Sequence, residues 1–186
     1  MDKTIVTETS DELISKAEKD VINVKVLSAQ KFYPEDLMYD VACFHATQAV
    51  EKLLKAYIIK NGLNVNKTHD LDHLQDIAIG IDNSFTNISK DCTLINEFVP
   101  KVKYSNSKSI TKQNINNVIK SLETFCNFPP IKTMRDSFNK DHNYEIVAEV
   151  IAKSTASKET EKPAVKPTAD KKPDKKKKDP YNGYDR

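Results

Sequence analysis

Four residues between positions 48 and 69 form a candidate set for binding phosphate. Gln48 offers an amide that both donates and accepts hydrogen bonds, while Lys52 and Lys55 supply positive charge. His69 stands at a predicted helix start, where backbone N–H groups without helical partners favour anions. These residue types are compatible with binding of a ligand that carries phosphate.

The same residues also fit a purely structural interpretation. Glu51 and Lys55 have the i, i+4 spacing of an ordinary pair on a solvated helix face. His69 and Asp70 can cap and brace a loop, and His45 near the apolar margin suits a packing role. From the residues alone, both interpretations stay open.

Other chemistry-bearing patterns are sparse. His69 and His73 are four residues apart with aspartates nearby, but no third strong ligand is in register, so we expect no metal. There is no phosphate-binding glycine loop, no His-Glu-x-x-His and no catalytic Ser/His/Asp set, and we expect no cofactor. The three cysteines are odd in number and widely spaced, which argues against disulfides: Cys43, Cys92 and Cys126.

Two helices are predicted to position the candidate residues. The first runs from about Ser10, which can cap it, to Gln30, and the second from about Glu35 to Lys60, ending at Asn61-Gly62. In the second helix, one broad arc is apolar: Ala42, Cys43, Ala46, Ala49, Val50, Leu53, Leu54 and Tyr57. The opposite arc is polar and is expected to face a ligand: His45, Gln48, Glu51, Lys52 and Lys55.

The rest of the chain also has helical periodicity. We predict a helix starting at Thr68 or Asp70, a weaker one over 89–99, one over 111–126 closed by Pro129-Pro130, and one over 134–152. No segment alternates with period two, so the fold class is all-α.

The C-terminal segment differs in composition from the rest. Residues 153–186 contain 11 Lys+Arg and 6 Asp+Glu, and the preceding residues contain 18 basic and 21 acidic ones. We expect this lysine- and proline-rich tail to be disordered, since almost nothing in it is apolar. It either solubilises the chain or holds nucleic acid non-specifically. The predicted organisation is therefore a flexible segment over 1–9, a helical bundle over 10–130, a peripheral helix over 131–152 and the tail.

The second helix and its exit loop resemble the HEPN family. The resemblance lies in the block from Phe44 to Ala56, with its Gln-Ala-Val-Glu-Lys core, followed by Thr68-His69-Asp70-Leu71. It implies an antiparallel bundle of four or five helices that often pairs as a homodimer. It also implies nucleotide or RNA binding, RNase activity, or a separate nucleotidyltransferase chain as partner in toxin–antitoxin systems. In the nucleotide-binding branch an Arg-Tyr-Pro segment contributes, and here Lys103 and Tyr104 retain its charge and ring.

RNase-type members of that family carry an arginine followed, after four to six residues, by a histidine. Arg135 and His142 match the longest spacing, and His142-Asn143-Tyr144 resembles the His-x-Tyr ending of some members. The arginine would hold phosphate and the histidine would transfer protons.

Three hypotheses follow for a cytoplasmic protein without a membrane span. The leading one is a non-catalytic nucleotide- or RNA-binding module using Gln48, Lys52, Lys55, His69 and Asp70, with Lys103 and Tyr104 contributing. The second is a metal-independent endoribonuclease using Arg135 and His142. The third is a helical subunit for dimerisation or protein interaction.

Overall fold

The structure, a computed structural model, describes residues 5–29, 35–98 and 110–142. Within these ranges the chain is all-helical, as predicted, and its only strand-like feature is an isolated bridge between Ile5 and Asn66. The α-helices are α1 (Ser10–Ala29), α2 (Glu35–Lys60), α3 (Leu71–Ile81), α4 (Ser89–Asn96), α5 (Lys112–Asn127) and α6 (Pro129–His142); a 3-10 helix (Asn83–Ile88) precedes α4.

Helices α1 and α2 form an antiparallel hairpin and the most extensive helix contact. Ser10 at the start of α1 donates to the carbonyl of Ala56 near the end of α2 at 3.0 Å. Asp20, farther along α1, meets His45 in the first half of α2. Ala17 of α1 and Ala46 of α2 are completely buried, and such small side chains allow two backbones to approach closely.

Helix α2 is the central helix, because every other α-helix contacts it. Its apolar arc is buried as predicted except for Tyr57, which is partly buried. The core continues into an aromatic group in which Phe85 contacts Tyr57 and Phe128, with ring centroids 4.7 and 4.8 Å apart. A helix surrounded in this way exposes little of its surface to solvent. Part of its polar arc is therefore buried as well.

Local signals set most helix ends. Asp70 caps α3 by accepting from the amides of Asp72 and His73, and Thr111 forms a capping box with Asn114 at α5. Gly62 follows α2 with φ of 82°, as expected for a left-handed C-terminal cap. The predicted cap at Ser10 is wrong, because the Thr9 hydroxyl accepts from the Glu12 amide while Ser10 is used to contact α2.

Helix α6 begins earlier than predicted. Pro129 and Pro130 form its first turn, where an N–H would have no helical partner, so the prolines start this helix as well as closing α5. Ile131, Met134 and Phe138 belong to the same core as the rest of the bundle. The predicted extension to residue 152 and the tail over 153–186 lie outside the described residues.

Candidate functional site

The polar arc of α2 is divided into a covered half and an open half. Glu51 and Lys55 are only 4% and 6% exposed, so the expectation that this arc faces solvent is wrong for both. The segment before α3 lies against this half, since His69 contacts Glu51. The N-terminal segment in turn contacts that segment, because Val6 donates to the carbonyl of Val65 at 2.8 Å. Glu8 in this segment accepts from Lys16 Nζ at 2.8 Å, and that hydrogen bond lowers the pKa of Glu8.

The covered half is organised around the carboxylate of Glu51, and Glu51, Lys55 and His69 are called the Glu51 cluster here. Lys55 Nζ donates to Glu51 Oε1 at 2.7 Å, and His69 Nδ1 lies 3.0 Å from Glu51 Oε2. The His69 side chain remains 75% exposed. It therefore covers a buried carboxylate with one ring nitrogen and leaves Nε2 on the outside.

A second carboxylate comes from α1, and Asp20, His45 and Lys52 are called the Asp20 cluster. Asp20 Oδ1 lies 2.7 Å from His45 Nδ1, and its Oδ2 accepts from Lys52 Nζ at 2.5 Å. The three side chains are 11%, 22% and 20% exposed, respectively. One nearly buried carboxylate thus holds an imidazole and an ammonium group at the surface of the α1–α2 hairpin.

Gln48 joins the two clusters into one hydrogen-bonded chain. Its amide oxygen accepts from Lys52 and its amide nitrogen donates to Glu51, both at 3.3 Å. Seven residues from α1, α2 and the approach to α3 are therefore connected. Such a chain fixes side-chain positions in advance, as a ligand site requires, and also ties three segments together.

Beyond the covered half, α2 presents an open strip made of Val41, Phe44, His45, Gln48 and Lys52. Val41 and Phe44 are 39% and 41% exposed although both are large and apolar. Phe44 meets the His45 ring edge-on, with centroids 5.8 Å apart. Lys52 has one N–H not used in its two hydrogen bonds, and Gln48 likewise has one amide hydrogen left. The strip therefore offers an aromatic surface beside polar groups.

The remaining residues of the predicted ligand set fall into two classes. Asp70 is committed to capping α3, which matches the structural interpretation of its role. Lys103 and Tyr104 lie outside the described residues.

Arg135 is engaged inside the bundle. Its Nε and one terminal nitrogen donate to the two oxygens of Glu18 at 2.5 and 3.0 Å, and the other donates to the carbonyl of Cys126 at 3.2 Å. Burial opposes the charged form of Arg135, but the hydrogen bonds to Glu18 prevail and raise its pKa. The bidentate pair connects α6 to α1. It occupies the two guanidinium donors, Nε and a terminal nitrogen, that could otherwise bind a phosphate side by side.

His142 makes contacts of its own at the end of α6. Its ring stacks on Phe138, with centroids 4.1 Å apart, and Nδ1 lies 2.9 Å from the Phe138 carbonyl oxygen. Arg135 is two turns earlier, about 10 Å along the axis. Each of the two residues is held by different partners, and Asn143 and Tyr144 lie outside the described residues.

Sequence reasoning gave no functional role to Asp20, Glu18 or Phe44. Asp20 and Glu18 lie at spacings typical of an ordinary helix surface, and nothing local shows which basic residue each one meets. Phe44 falls inside the polar arc of α2, between Glu51 and Lys55, so helical periodicity alone separates it from the core residues. The signal that could have found Phe44 is an aromatic residue placed among the polar side chains of the helix.

Two absences hold for the part of the chain that the structure describes. It contains no group of three or more His, Cys, Asp or Glu side chains arranged to hold a metal ion. Across the same residues, no helix combines the length and apolar character needed to cross a bilayer.

Comparison with known proteins identifies a family for the chain. No curated protein and no solved structure matches the chain. The family model described as HEPN domain matches residues 10–132, which is more than half of the chain and includes α1 to α5 with both carboxylate clusters. The chain therefore belongs to the HEPN family.

Proposed function

We propose that this protein is a non-catalytic HEPN module that binds a nucleotide or RNA on the open strip of α2. The observation that carries the proposal is the exposed Phe44 ring beside hydrogen-bonding groups that Asp20 and Glu51 already hold in place. An exposed aromatic ring provides a stacking surface for a base, and nearby donors can meet phosphate or a base edge.

The geometry changes the set of residues that we expect to touch the ligand. Lys55 is buried against Glu51, and Asp70 caps α3, so neither is expected to make contact. Gln48, Lys52 and the exposed Nε2 of His69 stay in the set, and Phe44 and His45 join it. Lys52 is paired with Asp20 yet has a donor left, so it would contact phosphate without leaving its partner.

Replacement of Phe44 tests this proposal. Phe44→Ala is expected to weaken binding of a fluorescein-labelled single-stranded oligoribonucleotide about tenfold or more, since stacking on one aromatic ring contributes about 1–3 kcal/mol. Fluorescence anisotropy with the full-length protein measures this, and calorimetry with ATP and GTP covers mononucleotides.

Leu63→Ala is the matched control, because Leu63 is equally exposed and apolar but lies in the loop after α2. It should bind as the unaltered protein does. An unaltered protein that binds neither RNA nor nucleotides contradicts the proposal, and so does equal weakening by the two variants.

The second candidate function, a dimerisation or docking subunit, is favoured by the exposed apolar pair of Val41 and Phe44 on α2. A separate nucleotidyltransferase chain is the hetero-partner that family resemblance implies. Val41→Lys separates the two functions, since a lysine disrupts an apolar interface but adds attraction for phosphate. A dimer in light scattering that Val41→Lys dissociates, without loss of RNA binding, would establish docking as a distinct function.

The endoribonuclease alternative draws no support from the geometry, because Arg135 is held by Glu18 and the family match ends at residue 132. It stays a prediction with a simple test. RNA cleavage by the unaltered protein that His142→Ala abolishes would restore it.

A further inference from the structure

We infer that residues 144–152 of this chain dock as an amphipathic helix on the open strip of α2, where they cover Val41 and Phe44. Docking itself needs no ligand and does not depend on the proposed function. Its consequence for RNA rests on that function, because the segment and the ligand compete for the same surface.

The sequence of residues 144–152, which lie outside the described residues, has an apolar face. With about 100° between successive residues, one side of a helix over this segment is apolar and the opposite side carries Glu145 and Glu149. The apolar side consists of Tyr144, Ile146, Val147, Val150 and Ile151. So short a helix is stable in water only when its apolar side packs against another element.

The open strip of α2 is a matching surface. Among the described residues, four large apolar side chains are exposed, and the two that lie on a helix are Val41 and Phe44. Val41, Phe44 and Gln48 follow one another at spacings of three and four, the pattern by which one helix packs along another. Lys52 at the end of the strip has one N–H beyond its two hydrogen bonds, from which a glutamate of the segment can accept.

The direction of α6 brings the end of the described chain toward the start of the strip. α6 begins next to Phe128, whose ring packs on Phe85 and through it on Tyr57 near the end of α2. Farther along, Arg135 meets Glu18 in the middle of α1. α6 therefore runs from the end of α2 toward the beginning of α2.

Helix geometry then gives the level at which α6 ends. From its contact with Glu18, α6 continues for seven residues to His142, about 10 Å. Seven residues beyond Glu18 on α1 is five beyond Asp20, and Asp20 lies opposite His45 in the antiparallel hairpin. α6 therefore ends level with position 40 of α2, next to Val41, where the open strip begins.

The segment is long enough to reach the strip from there. Glu18 and Asp20 are two positions apart and point to nearly opposite sides of α1, so the chain has to pass this helix. Eight residues lead from His142 to Val150, and even as a helix they span about 12 Å, which is about the diameter of α1. The apolar face around Val150 can therefore meet the strip of the same chain.

Thiol labelling tests the docking in the full-length protein without any ligand. Val41→Cys is expected to react about tenfold more slowly than Leu63→Cys, although the two positions are similarly exposed in the described part of the chain. Val147→Ser/Ile151→Ser should remove most of that difference, because it weakens the apolar face. The three native cysteines are buried, so labelling of the otherwise unaltered protein supplies the baseline.

The matched control is Ala164→Ser/Val165→Ser, a comparable exchange in the tail, which should leave labelling at position 41 slow. Labelling of Leu63→Cys should be the same with either pair of serines, which shows that both proteins remain folded. Fast labelling at position 41 with the segment unaltered overturns the inference. Slow labelling that persists in Val147→Ser/Ile151→Ser overturns it as well.

A disulfide trap identifies which chain supplies the segment. Val41→Cys/Val150→Cys should form a disulfide within one chain under a mild oxidant, because docking brings the two side chains within bonding distance. Leu63→Cys/Val150→Cys is the control and should stay reduced. Non-reducing electrophoresis and intact mass distinguish the products. A covalent dimer means that a second copy occupies the strip, and it overturns docking within the chain, as does the absence of any disulfide.

RNA binding provides a separate readout for the proposed function. Val147→Ser/Ile151→Ser should bind the labelled oligoribonucleotide about tenfold more tightly, because Phe44 is no longer covered. Restored labelling at position 41 with unchanged RNA affinity leaves the docking standing and contradicts RNA binding at the strip. Binding of RNA and nucleotides by none of these proteins overturns the proposed function, while the labelling and disulfide results still decide the docking.

Discussion

Individual basic residues in this protein differ in availability according to the carboxylate that each one meets. Lys52 and Lys55 are three positions apart on the same helix, yet Asp20 from α1 holds the first at the surface while Glu51 from α2 holds the second in the interior. Both lysines are candidate phosphate ligands in the sequence, but Lys55 is buried in an ion pair with Glu51. Its partner and its depth decide which role it has.

We expect Lys55→Ala to lower the free energy of unfolding by about 3 kcal/mol, because it leaves the Glu51 carboxylate buried without its ammonium partner. Urea unfolding followed by circular dichroism measures the loss. The double variant Glu51→Leu/Lys55→Met should recover most of the stability, since buried ion pairs are often replaceable by apolar side chains. Lys60→Ala, at the exposed end of α2, is the control. A loss well below 1 kcal/mol in Lys55→Ala would mean that His69 alone satisfies Glu51.

The buried cysteines provide a second residue-scale prediction. Burial raises the pKa of the Cys92 thiol to about 12 and that of Cys126 to about 11, so both are neutral thiols near pH 8. Because the thiolate is the reactive species, labelling by a thiol reagent should be slow in the folded protein and complete in denaturant. Rapid labelling of either cysteine at pH 8 without unfolding would contradict this.

At the scale of elements, Asp70 acts as the N-cap of α3. Asp70 stands in a motif that resembles a family signature, yet its side chain accepts from two amides at the start of α3. The N-terminus of a short helix that follows a loop depends strongly on such a cap. We therefore expect Asp70 to stabilise this element without contacting the ligand.

Accordingly, Asp70→Ala should lower the free energy of unfolding by about 1 kcal/mol, the usual effect of losing a capping side chain. Asp70→Ser should be nearly neutral, because serine caps about as well. RNA or nucleotide affinity should remain unchanged in both variants when measured well below their unfolding temperatures. A weakened affinity in Asp70→Ser, with stability retained, would show that this carboxylate contacts the ligand.

At the scale of the whole molecule, Arg135 connects the last described helix to the first. It reaches Glu18, a residue 117 positions earlier, and both side chains are largely buried. The contact brings α6 into the bundle together with its three core residues. This arrangement gives Arg135 a structural role.

We expect Arg135→Ala to lower the free energy of unfolding by about 3 kcal/mol, since Glu18 would remain as a buried charge without a partner. Thermal and urea unfolding measure this, and Glu18→Leu/Arg135→Met should restore much of the loss. Lys132→Ala is the control, because Lys132 pairs with Asp136 on the exposed side of α6. Unchanged stability in Arg135→Ala would leave this residue available for phosphate.

The sequence by itself determined the helical class, the bounds of α1, α2 and α5 and the start of α3 within a few residues, the apolar arc of α2 and the family. These follow from periodicity, caps and prolines, which act between residues close together in the chain. Only the tertiary structure decided which polar residues are available to a ligand. Asp20, Glu18 and the segment before α3 reach their partners through packing of distant segments, and that packing buries Lys55, engages Arg135 and leaves Phe44 exposed. Side-chain availability depends on what other elements bring to the same place, and the spacing of residues within one helix does not contain that information.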